Sequence, residues 1–356
     1  MKTEGNIGGV EVQAYYVGMD VHAKEWVVTV RSCGLEIRTL SVDPDVEALL
    51  KYLGRSFPLG RYVFAYEAGF CGFWIARELE ALGHKCLVVN PADIPTRDKE
   101  RVSKSDKVDS RKIARELEKG NLTGIYVPDE RMQALKSLGR LIITCGRDMT
   151  SIKNRIKSHL YLYGIRIPPH CECCHWSGNF IRRIEAMCGG SGPFGDYILT
   201  CIGKLKEEKA RQAHLLKRLK MHMGLCGRNG TLGHLMSIPG IGLKTAIALI
   251  TEIDDMGRFR TFDRLCSFVG LVPSCGGSGE SERDMGITRR RNSYLRYLLV
   301  EAAWVVVRKD KALLETYGRL LRRMTKQAAI IRIAKKLLGR IRHVWLNDRD
   351  YVYCKI

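Results

Sequence analysis

Apolar and polar positions alternate in three short bursts near the start of the chain. Tyr15–Asp20, Trp26–Arg31 and Leu35–Leu40 read as strands, parted by turns at Ala23-Lys24 and Gly34. The period then lengthens. Val46, Leu49, Leu50 and Leu53 fall on one helical face, with Asp43 placed to cap it. Tyr62–Glu67 is a strand of the buried type. Beyond Gly69 and Gly72 comes a helix carrying Trp74, Ile75, Leu79 and Leu82, and Lys85–Asn90 is a further strand closed by Pro91. Three strands, helix, strand, helix, strand predicts a small mixed sheet flanked by helices.

Helical periodicity dominates the rest. Thr96–Lys104 is polar and basic and reads as a loop. Asp106–Glu118 returns to helix, with Ile113 and Leu117 inward and Ser105 or Asp106 able to cap it. From Leu135, the positions Leu138, Ile142, Cys145, Met149, Ile152 and Ile156 follow in steps of three and four, a heptad seam that needs a partner. Tyr197–Met223, with its basic face, can supply one within the chain or from a second subunit. Between them, Pro168–Gly195 reads as a connector. A new unit starts near Gly230. Ser237-Ile238-Pro239-Gly240-Ile241-Gly242 precedes the helical run Lys244–Glu252, a helix-hairpin-helix signature whose glycines let backbone N–H groups approach a phosphate. Phe259–Leu271 reads as helix. Residues 274–293 are glycine-rich, then basic, and read as a loop that is a candidate site. Leu295, Leu298, Leu299, Ala302 and Val306 mark a buried helix, and Lys326–Trp345 an amphipathic one.

Charge narrows the function. The 356 residues carry 59 lysines and arginines against 38 acids, a formal net charge of +21 spread along the whole length. A polyanion partner follows, nucleic acid first. The 13 cysteines are odd in number and irregularly spaced, and residues 1–14 are polar with no secretory pattern, so the thiols read as reduced and the protein as cytoplasmic. No apolar run is long enough to cross a bilayer. His170, Cys171, Cys173, Cys174 and His175 are crowded within six positions. They read as surface thiols, with zinc as the alternative.

The chemistry lies in four acids. Asp20 and Glu67 each end a strand, and Asp106 and Asp109 share one face of a helix. A carboxylate at the mouth of a central strand is costly without a partner, and a bound cation is the usual one. Oxygen ligands in this number suit a hard divalent ion, Mg2+ or Mn2+, and two such ions about 4 Å apart can serve both oxygens of a phosphodiester exchange.

The motifs carrying these acids are Val17-Gly18-Met19-Asp20-Val21-His22-Ala23-Lys24, Tyr66-Glu67-Ala68-Gly69 and Lys104-Ser105-Asp106-Lys107-Val108-Asp109-Ser110. They resemble the acidic motifs of the DEDD insertion-sequence transposases, the group that includes the pilin-gene invertase and the bridge-RNA-guided recombinases. In the second half, Ile238–Gly242, Gly270-Leu271-Val272-Pro273, Ser278-Gly279, Gly286-Ile287-Thr288 and Tyr294-Leu295-Arg296 are similar to that family's C-terminal transposase domain, in the same order. The resemblance implies a ribonuclease H-like (RuvC-like) α/β catalytic domain over 1–130, an α-helical coiled-coil and basic region over 131–226, and a mainly α-helical transposase domain over 227–356. It implies a metal site of Asp20, Glu67, Asp106 and Asp109, and a nucleophilic serine at Ser278. Relatives have two serines before the glycine, whereas here Gly277 precedes Ser278; Ser274 and Ser281 are the other candidates. The expected activity is cutting and rejoining DNA strands, guided by a structured RNA from the element, in a homo-oligomer (dimer or tetramer) that meets through the heptad helices. Lys104, Gly240, Gly242, Lys244, Arg283, Arg289, Arg290 and Arg291 are the candidate nucleic-acid contacts. The alternative is a metal-dependent, structure-specific nuclease of the junction-resolvase kind, with no covalent serine intermediate.

Overall fold

The computed structural model describes residues 13–96, 105–167, 176–190, 192–276, 283–288 and 290–352, with 274–276 and 283–286 described through their backbone. The chain divides into two compact units, Met1–Val127 and Pro128–Ile356.

The first unit is built on a mixed five-stranded sheet. Its strands are β1 (Ala14–Val21), β2 (Trp26–Ser32), β3 (Leu35–Val42), β4 (Arg61–Glu67) and β5 (Lys85–Val89), in the order β3-β2-β1-β4-β5. The first three pair antiparallel, and β1, β4 and β5 run parallel. Alternate side chains leave opposite faces of the pleat. Val17, Met19, Phe64 and Tyr66 point to one face, where α1 (Val46–Ser56) and α2 (Trp74–Ala81) add Leu49, Leu53, Ile75 and Leu79. Ala65 and Val89 point to the other, where α3 (Asp106–Glu118) adds Ile113 and Leu117.

The predicted strands and helices of this unit are present, with one cap corrected. Asp45, not Asp43, caps α1, its Oδ1 accepting from the Ala48 N–H at 2.6 Å. Pro44 disfavours helical backbone at Asp43, so the helix begins beyond the proline. For α3 the cap is Ser105, whose Oγ accepts from the Val108 N–H, leaving Asp106 inside the helix.

The second unit is helical. Its long helices α4 (Glu130–Leu162) and α6 (Pro193–Leu225) pack together, with α5 (Gly178–Cys188) against one end. Ile152, Ile156 and Leu160 meet Ile198, Cys201, Ile202 and Leu205, while Met132, Leu135 and Ile142 share a core with Leu219 and Met223. The pair is therefore antiparallel. Of the two partners open to the heptad seam, one within the chain and one from a second subunit, α6 of the same chain is the one that covers it. The second core continues through α7 (Asn229–Met236), α8 (Leu243–Ile253), α9 (Phe262–Val269), α10 (Ser293–Val306), α11 (Lys311–Leu321) and α12 (Lys326–Leu346). The middle helices thus share one core with the C-terminal segment.

Two expectations need revision here, and one helix is additional to them. The connector Pro168–Gly195 contains α5, held by Phe180, Ile181, Ile184 and Cys188 on one face and capped by Ser177. The stretch 274–293, expected as a loop, contains two paired strands, β6 (Pro273–Gly276) and β7 (Arg283–Ile287), because backbone pairing needs no side-chain periodicity. The helix α11, whose one fully buried residue is Leu313, was not anticipated. Described cysteines such as Cys86, Cys145, Cys201 and Cys266 are free and buried, while the Cys171–Cys174 cluster lies outside the described residues. No described helix is long and apolar enough to cross a membrane.

Candidate active site

The site begins where the parallel pairing of β1 with β4 ends. The last paired positions of β1 and β4 are Met19 and Tyr66, so Asp20 and Glu67 follow side by side at the sheet end. Two residues back, Gly18 admits α3. A Cβ there would lie 2.2 Å from the Ala114 nitrogen and 2.5 Å from the Ser110 oxygen, so only glycine permits this approach. Polar pins fix the helix along the sheet. Ser110 Oγ and Thr29 Oγ1 share a buried hydrogen bond of 2.9 Å. Arg31 donates to Glu118 at 2.8 Å, and Arg111 to Glu36 at 2.8 Å. The result sets the first turn of α3, with Asp106 and Asp109, beside the ends of β1 and β4.

The four acids meet there in two halves. In one, Asp20 and Asp106 are joined by His22, whose Nε2 lies 3.4 Å from Asp20 Oδ2 and 3.6 Å from Asp106 Oδ2. One ligand atom from each of these three residues lies within 4.8 Å of the others. In the other, the Lys112 ammonium lies 2.8 Å from Asp109 Oδ1 and 3.5 Å from Glu67 Oε1. The halves feel each other. Burial raises the pKa of Asp20; the nearby His22 pulls it down, but Asp106 and Asp109 push it up again, and the net shift is upward. For Lys112, burial alone would lower the pKa. Asp109 and Glu67 outweigh it, so the ammonium is held in its charged form.

These donors fit a divalent cation. Carboxylate oxygens suit Mg2+ and Mn2+, and an imidazole nitrogen within reach is better tolerated by Mn2+ than by Mg2+. An acid whose charge is disfavoured by burial and by like charges gains from a cation at the same place. His22, Lys112 and Gly18 were not singled out as site residues from the sequence. His22 follows Asp20 across the turn into β2. Lys112 carried a usable signal, a polar residue one turn after Asp109 on the inward side of α3.

The second-unit candidates are distributed differently. Gly240 has φ +85°, and a Cβ on it would lie 2.8 Å from the Ala302 oxygen, so packing against α10 already requires glycine. Gly242 is exposed and begins α8 without a side-chain cap. Lys244 is half-buried, and burial lowers its pKa. A Cβ on Gly146 of α4 would come within 2.8 Å of the Lys244 Nζ, which places the ammonium over that helix. Arg290 and Arg291 are exposed where β7 leads into α10. Arg283 lies in β7, described by its backbone. Ser278, Ser281, Lys104 and Arg289 lie outside the described residues, and Ser274 is in β6.

The base of this hairpin is firmly tied. Arg296 Nη1 donates to the Gly270 oxygen at 3.0 Å and to the Thr288 oxygen at 2.8 Å, joining the residues before β6 and after β7. Asn292 caps α10 and also donates to the buried Glu252 at 2.7 Å. Glu252 receives two hydrogen bonds from Arg140, at 2.5 and 3.0 Å, and pairs with Lys136 at 3.3 Å.

Known proteins with related sequences agree with both halves. Residues 17–165 match the IS110-type DEDD family, described as a transposase, and residues 232–318 match the family described as "Transposase IS116/IS110/IS902 family". The chain belongs to the DEDD insertion-sequence transposases. It is similar to a protein of Sinorhizobium fredii named as the transposase y4qE, 28% identical over 83% of this chain and 74% of that one. A protein of Pseudomonas aeruginosa named as a family 20 transposase is 26% identical over 76% of this chain and 80% of its own length. The transposase for insertion sequence element IS1111A of Coxiella burnetii is 25% identical over 59% of this chain and 56% of that one. As a DEDD transposase, the chain is a DNA-acting enzyme, and the match over residues 17–165 contains all four acids.

Proposed function

We propose that this transposase cuts and rejoins DNA strands with a divalent-metal site of Asp20, Glu67, Asp106 and Asp109 and a serine nucleophile, Ser278. The observation that carries the metal site is the meeting of the four acids at one sheet end, with Asp20, His22 and Asp106 offering ligand atoms within 4.8 Å. The first unit is of the ribonuclease H-like kind, a reading supported by its strand order and by the acids at the ends of β1 and β4.

Bound Mg2+ or Mn2+ would supply charge neutralisation at the phosphate and polarise its oxygens. The chain's own groups do the rest. The carboxylates hold and orient, and Lys112 balances part of their charge. The Ser278 hydroxyl gives up its proton and its oxygen attacks the DNA phosphorus. An Oγ–P bond forms, one P–O ester bond breaks, and the departing DNA hydroxyl takes a proton. The phosphoserine link retains the ester energy for rejoining. A structured guide RNA and a homo-oligomer complete the proposal, supported by the charge of +21 and by the need to hold several DNA ends together.

The test is a mixture of the protein, its element's donor DNA, the flank-encoded RNA and Mg2+, denatured and examined for DNA covalently attached to protein. An adduct that disappears in Ser278→Ala is the expected result. Cleavage by both proteins with no adduct would overturn the serine step in favour of a metal-only nuclease. Omitting the RNA tests the guide in the same assay.

A further inference from the structure

Lys112 is an unusual side chain for its place. It sits on the inward side of α3, 8% exposed, and its ammonium is within ion-pair distance of two of the four acids. A lysine that contacts DNA phosphate would project to solvent, as a strongly hydrated charge on a flexible stem prefers to do. Lys112 points the other way. Its position is not adjustable from the helix side, since Gly18 sets α3 at closest approach to β1. The ammonium occupies the ground between Glu67 and Asp109 that a bridging cation would take.

The two halves of the site therefore differ. Asp20, His22 and Asp106 have no lysine or arginine at salt-bridge distance among the described residues, whereas Glu67 and Asp109 share one. Four carboxylates without help would be neutralised by two divalent ions. With one ammonium fixed among them, the second divalent ion has less charge to meet and must also move the ammonium aside.

We infer that Lys112 is a resident cation of the acidic site. It fills the Glu67–Asp109 half, so that one divalent ion binds first at Asp20, His22 and Asp106, and a second enters only by displacing the lysine. This rests on the divalent-metal reading given above. The four-carbon stem of lysine allows the displacement. Metal occupancy is then graded, and a second ion competes with a group the protein already carries.

The experiment titrates the full chain, free of DNA and RNA, with Mn2+ alone, counting bound ions by electron paramagnetic resonance and calorimetry. In the parent, one ion binds and a second is weaker by at least about ten-fold. In Lys112→Met the two ions bind with similar affinity, and Lys112→Arg restores the parental inequality. Asp20→Asn serves as the control on the underlying reading. Mn2+ binding that Asp20→Asn leaves untouched would mean that the acids are not the metal site, and both readings fall. Binding abolished by Asp20→Asn, but with two equal ions in the parent, or with Lys112→Met like the parent, overturns the lysine inference alone. Should Lys112→Met fold only when Mn2+ is present, the ion has replaced the ammonium and the inference stands. Should it fail to fold in either condition, the parent's stoichiometry decides.

Discussion

Gly18 and Ala114 are in closest approach, with the space for a Cβ on Gly18 ending 2.2 Å from the Ala114 nitrogen. This contact sets α3 against β1 and so decides where Asp106 and Asp109 stand relative to Asp20. Gly18→Ala must displace the helix or strain the strand, at a cost of about 1–3 kcal/mol for overpacking of this kind. The acids separate as a result, so Mn2+ affinity falls together with stability. Gly54 is the contrasting case, exposed within α1 with nothing near its absent Cβ. Gly54→Ala is expected to stabilise by about 0.5–1 kcal/mol and to leave metal binding alone. Denaturant unfolding and Mn2+ titration of the two variants check both statements.

Asp20 links the site to pH. Its pKa is raised, first by burial and then by Asp106 and Asp109 against the opposing pull of His22. A carboxyl whose folded pKa exceeds its unfolded value destabilises the fold when ionised. That penalty is present at neutral pH and is relieved as pH falls through the raised folded value. In the absence of metal, Asp20→Asn is therefore expected to raise the melting temperature at pH 7, with the difference shrinking on acidification. With Mn2+ the order reverses, because the parent gains the ion and the variant does not. Melting curves with and without Mn2+ over this pH range decide it.

Much of the first unit was legible because its strands are local and periodic. Val17, Met19, Phe64 and Tyr66 alternate cleanly, and Asp20 and Glu67 stand where the alternation stops. The pairing of Asp106 with Asp109 followed from helical geometry alone. What escaped was set by contacts distant in sequence. The spacing of Lys112 from Asp109 is local, but its link to Glu67 arises only when β4 comes alongside, and His22 reads as a turn residue until α3 brings Asp106. Helix α7 holds Gly230 and Gly233, poor helix formers whose cost is met by burying Leu232 and Leu235. In the same way, β6 and β7 are joined by backbone hydrogen bonds that leave no pattern in the side chains.

Glu252 is one of the buried charges of the second unit, beside Asp254 and Asp310. Burial alone would push its carboxyl up, but hydrogen bonds from Arg140 and Asn292 and the charges of Lys136 and Arg140 pull it below the ordinary value of 4.5. An acid lowered in this way contributes stability that is fully present above its unfolded pKa and is lost as pH falls through the folded value. Glu252→Ala leaves Lys136 and Arg140 without their partner and is expected to cost about 3–5 kcal/mol. The variant should lose most of the acid-induced destabilisation that the parent shows below pH 4.5 from this group. Urea unfolding at neutral and acidic pH gives both numbers.

Arg296 bears on the proposed serine step without being able to react. By donating to the oxygens of Gly270 and Thr288, it ties together the residues just before β6 and just after β7. Burial lowers its pKa, and the charge of Arg291 lowers it further, yet a guanidinium remains protonated, so both bonds persist at any physiological pH. Arg296→Met leaves two carbonyls short of a donor, at about 1–3 kcal/mol for each that stays buried. The hairpin should then open while the surrounding helices hold. Hydrogen exchange is expected to accelerate in β6 and β7 and to change little in α8 and α12. If the serine is the nucleophile, adduct formation should fall in this variant while Mn2+ binding at the acids is unchanged. Equal exchange in parent and variant would mean that the strand pairing holds the hairpin by itself.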